Sequence, residues 1–379
     1  MIDNIISNLI IIQQAFGAGS VASYKLYKAI KSKGLLGAKM ADILKSGIVP
    51  EKTINKINAV KDSDVNRIIK DCSDNNIKIV TVDSKIYPER LRNISAPPLV
   101  LYIKGTLPQI DLLPTVCIVG PRIDKVSEFG KKAAYSLSRR LARAGFIIVS
   151  GAATGSDTYA HIGAIRGGGK TIAVLGCGIC YDYLPENRPL RNKIAQNCCL
   201  ISEYPPFAPT TRYSFPIRNR IMSALALGTI VIEAGQKSGA LNTAKHSYEQ
   251  GRDVFVIPGN PTDENYKGSN ELLRDGATPL IDASDVFNQY IPSFAEFIDI
   301  KKAFEPIENK KNDKIISKKS DIGLSKEAKM VYNNLNKQKF TADDLIDIGI
   351  SDDDIISALT ELEMEHIIKS LPGGIYELI

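Results

Sequence analysis

The sequence predicts an α/β protein: a parallel, doubly wound sheet with a small helical module before it and a winged-helix domain after it. Three observations carry that prediction. Between Val116 and Asp282, short β-branched runs alternate with helix-like stretches. Before about residue 65 the chain reads as short helices broken at glycines, and from Leu324 three amphipathic helices precede a hairpin.

Residues 1–65 form the first module, with breaks at Gly17, Gly19, Gly34, Gly37 and Gly47, an all-helical pattern of the SAM or helix-hairpin-helix kind. Its apolar stretch Ile5–Ile12 has no basic leader and contains Ser7 and Asn8, so it reads as a helix and not as a signal peptide. Residues 66–290 make the sheet domain, entered through Tyr87-Pro88 and a hairpin-like Pro97-Pro98-Leu99-Val100-Leu101-Tyr102.

The strands are the runs VCIVG, FIIVSG, TIAVLG, CLISEY, TIVIEA and DVFVIPG. Between the first two, Val126, Phe129, Ala133, Leu137 and Leu141 recur at three- and four-residue spacing, one helical face able to cover a sheet. Strand–helix alternation implies parallel strands joined by crossover helices. In such sheets ligands bind beyond the carboxyl ends of the strands. The loops there are Gly120-Pro121-Arg122, Gly151-Ala152-Ala153-Thr154-Gly155-Ser156, Gly176-Cys177-Gly178, Gly235-Gln236-Lys237-Ser238-Gly239 and Pro258-Gly259-Asn260. Glycine recurs where backbone must approach a ligand closely.

Residues 291–323 form a polar, charge-mixed linker. In 324–379, Ala328, Val331, Tyr332 and Leu335 mark one helix, Thr341 and Ser351 can cap two more, and Ile367–Ile379 turns at Gly373-Gly374. Three helices and a hairpin make a winged helix-turn-helix. Its third helix has only acids among its charges and would meet duplex phosphates with the wrong sign.

At 379 residues the chain has room for two or three domains. No stretch approaches the roughly 20 apolar residues of a membrane span, which excludes membrane insertion. Residues 341–366 carry nine acids and no Lys or Arg, leaving 48 bases against 33 acids elsewhere. A basic body suits a nucleic-acid partner, and general solubility is the competing reading. The six cysteines are expected as thiols of a cytoplasmic protein. Cys177-x-x-Cys180 with Cys198-Cys199 is a poor zinc set, because adjacent strand residues point to opposite faces.

Several familiar strings fail on context. Gly167-Gly168-Gly169-Lys170-Thr171 precedes a strand where a phosphate-binding loop should follow one, and Gly176-x-Gly178 lacks its third glycine at Tyr181. Ser150, His161 and Asp157 have no positional signature of a catalytic triad. For His161, packing a turn competes with a site role that its closeness to Gly155-Ser156-Asp157 keeps open. The segment Phe215-Pro216-Ile217-Arg218-Asn219-Arg220 puts two guanidiniums and an amide near a helix N-terminus, a combination that favours phosphate. Arg122 and Lys237 then converge on the same rim, and salt bridging with Asp157 or Glu233 is the alternative.

In order along the chain, Tyr87-Pro88, Pro97–Tyr102, Val119-Gly120-Pro121-Arg122, Ser150-Gly151-Ala152-Ala153-x-Gly155-x-Asp157 and Ala160-His161 resemble the DNA-processing protein A family (DprA/Smf). Thr171–Gly176, Ser202-Glu203-Tyr204, Phe215-Pro216-x-Arg218-Asn219-Arg220, Lys237-Ser238-Gly239-Ala240, Gly251-Arg252-x-Val254-Phe255, Pro258-Gly259 and Gly276-Ala277 continue the match. Pro121, Leu184 and Asn242 depart from the family pattern. The resemblance implies an extended Rossmann fold, single-stranded DNA binding, a homodimer, and loading of the RecA recombinase during DNA uptake.

Expected nucleic-acid contacts are Gly120, Arg122, Ser150, Gly151, Gly155, His161, Arg218, Asn219, Arg220, Lys237, Ser238 and Gly239. Tyr183, Tyr204 or Phe215 would supply a stacking ring, since the chain has no Trp. No catalytic residue, metal or cofactor is expected. A Rossmann-like nucleotide phosphoribohydrolase is the enzymatic alternative, although Pro258-Gly259-Asn260-Pro261 lacks the glycines and threonine of that turn. A duplex-binding regulator acting through the winged helix is the third reading.

Overall fold

Chain contacts divide the protein into two units, Met1–Tyr183 with Ile194–Phe304, and Leu184–Lys193 with Glu305–Ile379. The computed structural model describes residues 2–305, 324–335, 337–365, 367–371 and 374–379.

The first unit opens with five helices: α1 (Ile2–Phe16), α2 (Val21–Ser32), α3 (Met40–Lys45), α4 (Glu51–Asn58) and α5 (Asp62–Asp74). Leu9, Ile10, Ile11 and Ile12 of α1 are buried, so its apolar run is the core of this module. The Asn8 amide donates to the Leu36 and Ala38 carbonyls, holding the α2–α3 loop. The module is not a separate body. Its Gln13 side chain donates to the carbonyls of Val100 and Glu203 and accepts from Val100 N, at 2.8–3.0 Å, which ties α1 into the sheet domain.

The sheet domain runs β1 (Ile77–Thr81), α6 (Glu89–Arg92), β2 (Val100–Gly105), β3 (Thr115–Val119), α7 (Glu128–Arg143), β4 (Ile147–Ser150), α8 (Ser156–Arg166) and β5 (Thr171–Leu175). It continues with α9 (Arg188–Asn197), β6 (Cys199–Ser202), α10 (Ser214–Leu225), β7 (Gly228–Val231), α11 (Gly239–Glu249) and β8 (Asp253–Val256). Last come α12 (Lys267–Arg274), β9 (Thr278–Pro279), α13 (Ala283–Phe294) and α14 (Ile300–Phe304).

Nine strands form one sheet in the order β1-β2-β6-β5-β4-β3-β7-β8-β9. Strands β3 to β9 pair in parallel, while β2 is antiparallel to β6 and to β1. The six runs read from the sequence are β3 to β8. Pro97–Tyr102 does not close a hairpin on itself: β2 takes β1 on one side and β6 on the other, and the run IKIVT of β1 went unread.

Successive strand residues face opposite sides. Val116, Ile118, Ile148, Ile230 and Ile232 therefore pack with Ala134, Leu137 and Leu141 of α7, Ala160 and Ala164 of α8, and Phe287 and Tyr290 of α13 in one core. Helices α10 and α11 lie against strands β3, β5, β7 and β8. The chain winds outward from β3 through β4, β5 and β6, then returns to place β7 on the other side of β3. That reversal is a topological switch point, where a crevice opens between loops leaving in opposite directions.

The linker expected from residue 291 starts later, because Ile298 and Ala303 are apolar enough to join the sheet-domain core. Its stretch from 306 to 323 lies outside the described residues. In the second unit, α15 (Lys326–Asn333), β10 (Lys339–Thr341), a 3₁₀ segment (Ala342–Ile348), α16 (Asp352–Met364), β11 (Ile368–Leu371) and β12 (Ile375–Leu378) follow in order. The strands pair antiparallel as β10-β12-β11. Ser351 caps α16 through Asp354 N, and Thr341 with Asp344 makes a capping box, as the sequence suggests. The second helix is 3₁₀, however, and β10 was not foreseen. Phe340, Leu345, Leu359 and Leu362 fill this unit's own core. The expected turn at Gly373 falls outside the described residues.

Candidate nucleic-acid interface

A cavity of about 580 Å³ opens at the switch point. Its walls come from the loop after β3 (Gly120, Arg122, Lys125), the loop after β4 (Ala153, Thr154), the first turns of α10 (Phe215, Arg218, Asn219) and the loop into α11 (Lys237, Ser238, Gly239). Arg122, Lys125 and Lys237 are exposed and make no ion pair or side-chain hydrogen bond among the described residues. Arg122 stands over the half-buried Phe215 ring, 5.2 Å from its centroid, and Arg218 lies 6.0 Å from the same ring. Cations on an aromatic face gain electrostatically and keep their N–H donors free for phosphate.

The N-terminus of α11 adds backbone donors. Ser238 caps it by accepting from Ala240 N at 3.3 Å, and Lys237 precedes the cap. Uncompensated N–H groups and the helix dipole make such an end favourable for an anion.

Arg218 sits deeper than the sequence suggests, at 5% exposure. Its Nη1 donates to the Gly151 carbonyl at 2.8 Å and to the Val174 carbonyl, and its Nε donates to Asn219 Oδ1 at 3.2 Å. Among the described residues Nη2 makes no hydrogen bond, and Arg218 lines the cavity. Asp157, also buried, accepts from the backbone N–H groups of Gly151 and Ala153 at 3.1 and 3.3 Å. Burial pushes its carboxyl above the ordinary range, while Arg218 and those N–H groups pull it back. Asn219 bridges to Asn242 Oδ1 at 3.3 Å and so joins α10 to α11.

Two glycines permit this closeness. A Cβ at Gly151 would stand 2.1 Å from Arg218 Nη1. Gly155, at φ +98°, would place one 2.5 Å from the Arg122 backbone carbon, so the β4 loop seats the β3 loop only because no side chain intervenes.

Three expected contacts lie behind the cavity instead. Ser150 is fully buried and donates to the Ile118 carbonyl at 2.8 Å. His161 is fully buried, with Nδ1 2.7 Å from Thr171 Oγ1 and Nε2 accepting from Ala152 N at 3.3 Å. Thr171 Oγ1 spends its own hydrogen on the Ile148 carbonyl, so Nδ1 carries the proton and Nε2 cannot take another. Burial, with Arg218 nearby, lowers the His161 pKa to about 3. This neutral ring holds Ala152 at φ 52° and packs the turn. Arg220 turns away into a buried ion pair with Glu203 at 2.6 Å, whose Oε1 also accepts from Gly19 N. Neither Asp157 nor Glu233 is its partner. Glu233 is occupied by Ser127 and by Tyr266, at 2.7 Å for the phenol, and fixes the start of α7 to the end of β7.

The rim therefore collects Gly120, Arg122, Lys237, Ser238 and Gly239, the floor Arg218 and Asn219, with Gly151 and Gly155 packed behind Arg218 and the Arg122 backbone, and the support Ser150, His161 and Arg220. Sequence reasoning missed Lys125, signalled only by its place three residues after Arg122, and Tyr213, 58% exposed beside the first turn of α10. Of the candidate rings, Phe215 lines the cavity, with Tyr183 against it at 5.2 Å.

The family model for DNA recombination-mediator protein A matches residues 78–291, more than half of the chain and all of the switch-point loops. The chain belongs to the DNA recombination-mediator protein A family. It is 36% identical over 223 residues to DNA processing protein DprA of Bacillus subtilis, covering 59% of this chain and 74% of that one. Protein Smf of Synechocystis is 40% identical over 209 residues, 54% of this chain and 52% of its relative. DprA from Streptococcus pneumoniae superposes with a TM-score of 0.66 at 29% identity, over 75% of this chain and 97% of that one. DprA from Helicobacter pylori, described for its single-stranded DNA binding mode, gives 0.52 at 29% identity, over 57% and 98%. The family match spans the sheet domain, so the cavity is built from the part of the chain that its DprA relatives share.

Proposed function

We propose that the chain binds single-stranded DNA at the switch-point cavity as a recombination mediator that delivers the strand to a RecA-type recombinase. The observation that carries this reading is the grouping of Arg122, Lys125 and Lys237, none of them ion-paired among the described residues, around the Phe215 ring and the N-terminus of α11. A sequence-tolerant single-strand binder needs cations for phosphates and a ring face for bases. The crevice is lined by loops and helix ends, and among the described residues that line it no helix or ribbon projects to enter a duplex groove. Its role is binding and not catalysis, in the cytoplasm. Competition between single strand and duplex of one sequence tests the preference: the single strand should displace the duplex, and equal competition would refute the reading.

The mediator acts as a homodimer through the last part of the sheet domain. Leu280 is buried in its own subunit's core and is not available as a contact. Half-buried Leu272 and Leu273 flank the two-residue edge strand β9, whose Thr278 and Pro279 are exposed, as is Ile281 at 79%. An open edge beside apolar side chains supports pairing there. Sedimentation at tens of micromolar, about the range of weak association, should show dimer, and monomer alone would count against it. The winged-helix domain, with its acidic α16, docks a protein or competes for the basic rim rather than reading DNA.

A further inference from the structure

The helical module carries a charge imbalance that the cavity does not use. Residues 17–61 hold nine lysines against two acids, Asp42 and Glu51. All nine lysines are exposed, and among the described residues only Lys31 has an ion-pair partner, Asp83. So many unpaired cations in one small module repel one another and attract a polyanion.

The turn between α1 and α2 brings part of this charge to the cavity helix. Gly19 packs on α10 so closely that a Cβ there would lie 2.9 Å from Ile217 Cγ2 and 3.4 Å from Arg220 Nε. Ser20 then caps α2 by accepting from Ser23 N, and Lys25 and Lys28 follow within two turns. Lys28 Nζ stands 4.6 Å from the centroid of Tyr24, which stacks on Tyr27 at 5.6 Å. Lys56 Nζ stands 6.0 Å from the ring of Phe16, the last residue of α1. Tyr24 and Phe16 are half-buried. Cations set on partly exposed rings, beside the helix that supplies Phe215, Arg218 and Asn219, repeat the chemistry of the cavity rim.

We propose that Lys25, Lys28 and Lys56, with the Tyr24 and Phe16 rings that Lys28 and Lys56 cover, form a second single-strand subsite that carries DNA from the cavity across α10 onto the helical module. This rests on the single-strand reading of the cavity. The strand's phosphates meet the three ammonium groups, and one or two bases lie on the rings. A strand too short to leave the cavity gains nothing from the subsite.

The test compares ~6- and ~25-nucleotide oligothymidylates, lengths around and beyond the reach of a single compact site, on the full chain and on a K25E/K28E/K56E variant. Three lost contacts at roughly 0.7 each should lower the salt slope for the long strand by about 2 and its low-salt affinity by about 10- to 100-fold. Short-strand affinity should stay within about twofold. K25A/K28A/K56A should shift the same way by less, with unchanged circular dichroism and melting. Matched reversal of three other exposed cations, Lys78, Lys245 and Arg274, should spare the long strand.

An unchanged long-strand slope in the lysine variant, or an equal loss with the matched reversal, overturns the subsite while leaving the cavity reading intact. Failure of the unmodified chain to bind either strand overturns both. Binding to phosphatidylserine vesicles that the lysine variant loses, with DNA affinity unchanged, would assign the patch to a membrane surface and overturn the proposal.

Discussion

Replacing Arg218 with alanine should unfold the floor of the cavity before it affects DNA. The side chain holds the Gly151 and Val174 carbonyls and stands beside the buried Asp157. Its loss strips a buried carboxylate of its neighbouring positive charge, a change that costs about 3–5 kcal/mol when one member of a buried charged pair is removed. At a few degrees per kcal/mol, melting should fall by on the order of 10 °C. Asp157 would respond by holding its proton more tightly, since burial already pushes its carboxyl up and Arg218 opposes that. A group whose folded pKa is raised stabilises below its unfolded pKa and loses that contribution as pH rises through the folded one. The Arg218→Ala deficit should therefore be larger at pH 7 than at pH 5, and Asp157→Asn should restore part of it in the double variant. Urea unfolding of both single variants and the double at the two pH values gives the coupling directly. An Arg218→Ala protein that melts with the unmodified chain and loses only DNA affinity would show Arg218 to be a free phosphate contact and not a support of the cavity floor.

Arg122→Ala and Lys237→Ala should leave melting unchanged and each reduce the single-strand salt slope by roughly 0.7, with Arg122 the larger loss in affinity because its fork and ring contact go together; isothermal titration at two salt concentrations checks this. Gly155→Ala should cost on the order of 1–3 kcal/mol from its positive φ and weaken DNA binding by shifting the Arg122 backbone, seen as a lower denaturant midpoint together with lower affinity. His161 has a folded pKa of about 3 against an ordinary 6.5, so its contribution is complete above 6.5 and is lost as pH falls toward 3, by up to about 1.4 kcal/mol per pH unit. His161→Asn should flatten that part of the stability curve. A chain ending at Phe304 should keep its single-strand affinity, or gain some at low salt where the nine acids of residues 341–366 repel phosphate most; a marked fall with the sheet domain still folded would make the C-terminal unit a DNA-binding element.

The sheet was legible because each of β3 to β8 is a short β-branched run closed by a turn residue, and its loops were legible because glycine marks the close approaches at Gly151 and Gly155. What escaped were elements whose pattern depends on partners. Strand β1 (IKIVT) offers only Ile77, Ile79 and Val80 as apolar residues, a run too short and mixed to stand out alone, and it is recognised by its pairing with β2. Helix α14 looked like linker because its lysines hide one buried alanine, Ala303. In the site, residue type identified the donors but not their depth. Arg218 and Arg220 sit two apart on one helix, yet one reaches the cavity floor and the other meets Glu203, because residues two apart on a helix face different ways. His161 looked like a site residue by its neighbours and proved a support, a distinction set by its bond to Thr171, ten residues away.

One strand of DNA is expected to lie in the cavity, held by about four positive groups, Arg122, Lys125, Lys237 and Arg218. A titration of a short single strand and its duplex at several salt concentrations measures this directly. Single-strand binding should be the tighter, with a slope of log K against log salt near −3, from roughly 0.7 per phosphate. Duplex affinity equal to or above that of the single strand at matched salt, or a slope near zero, would contradict it.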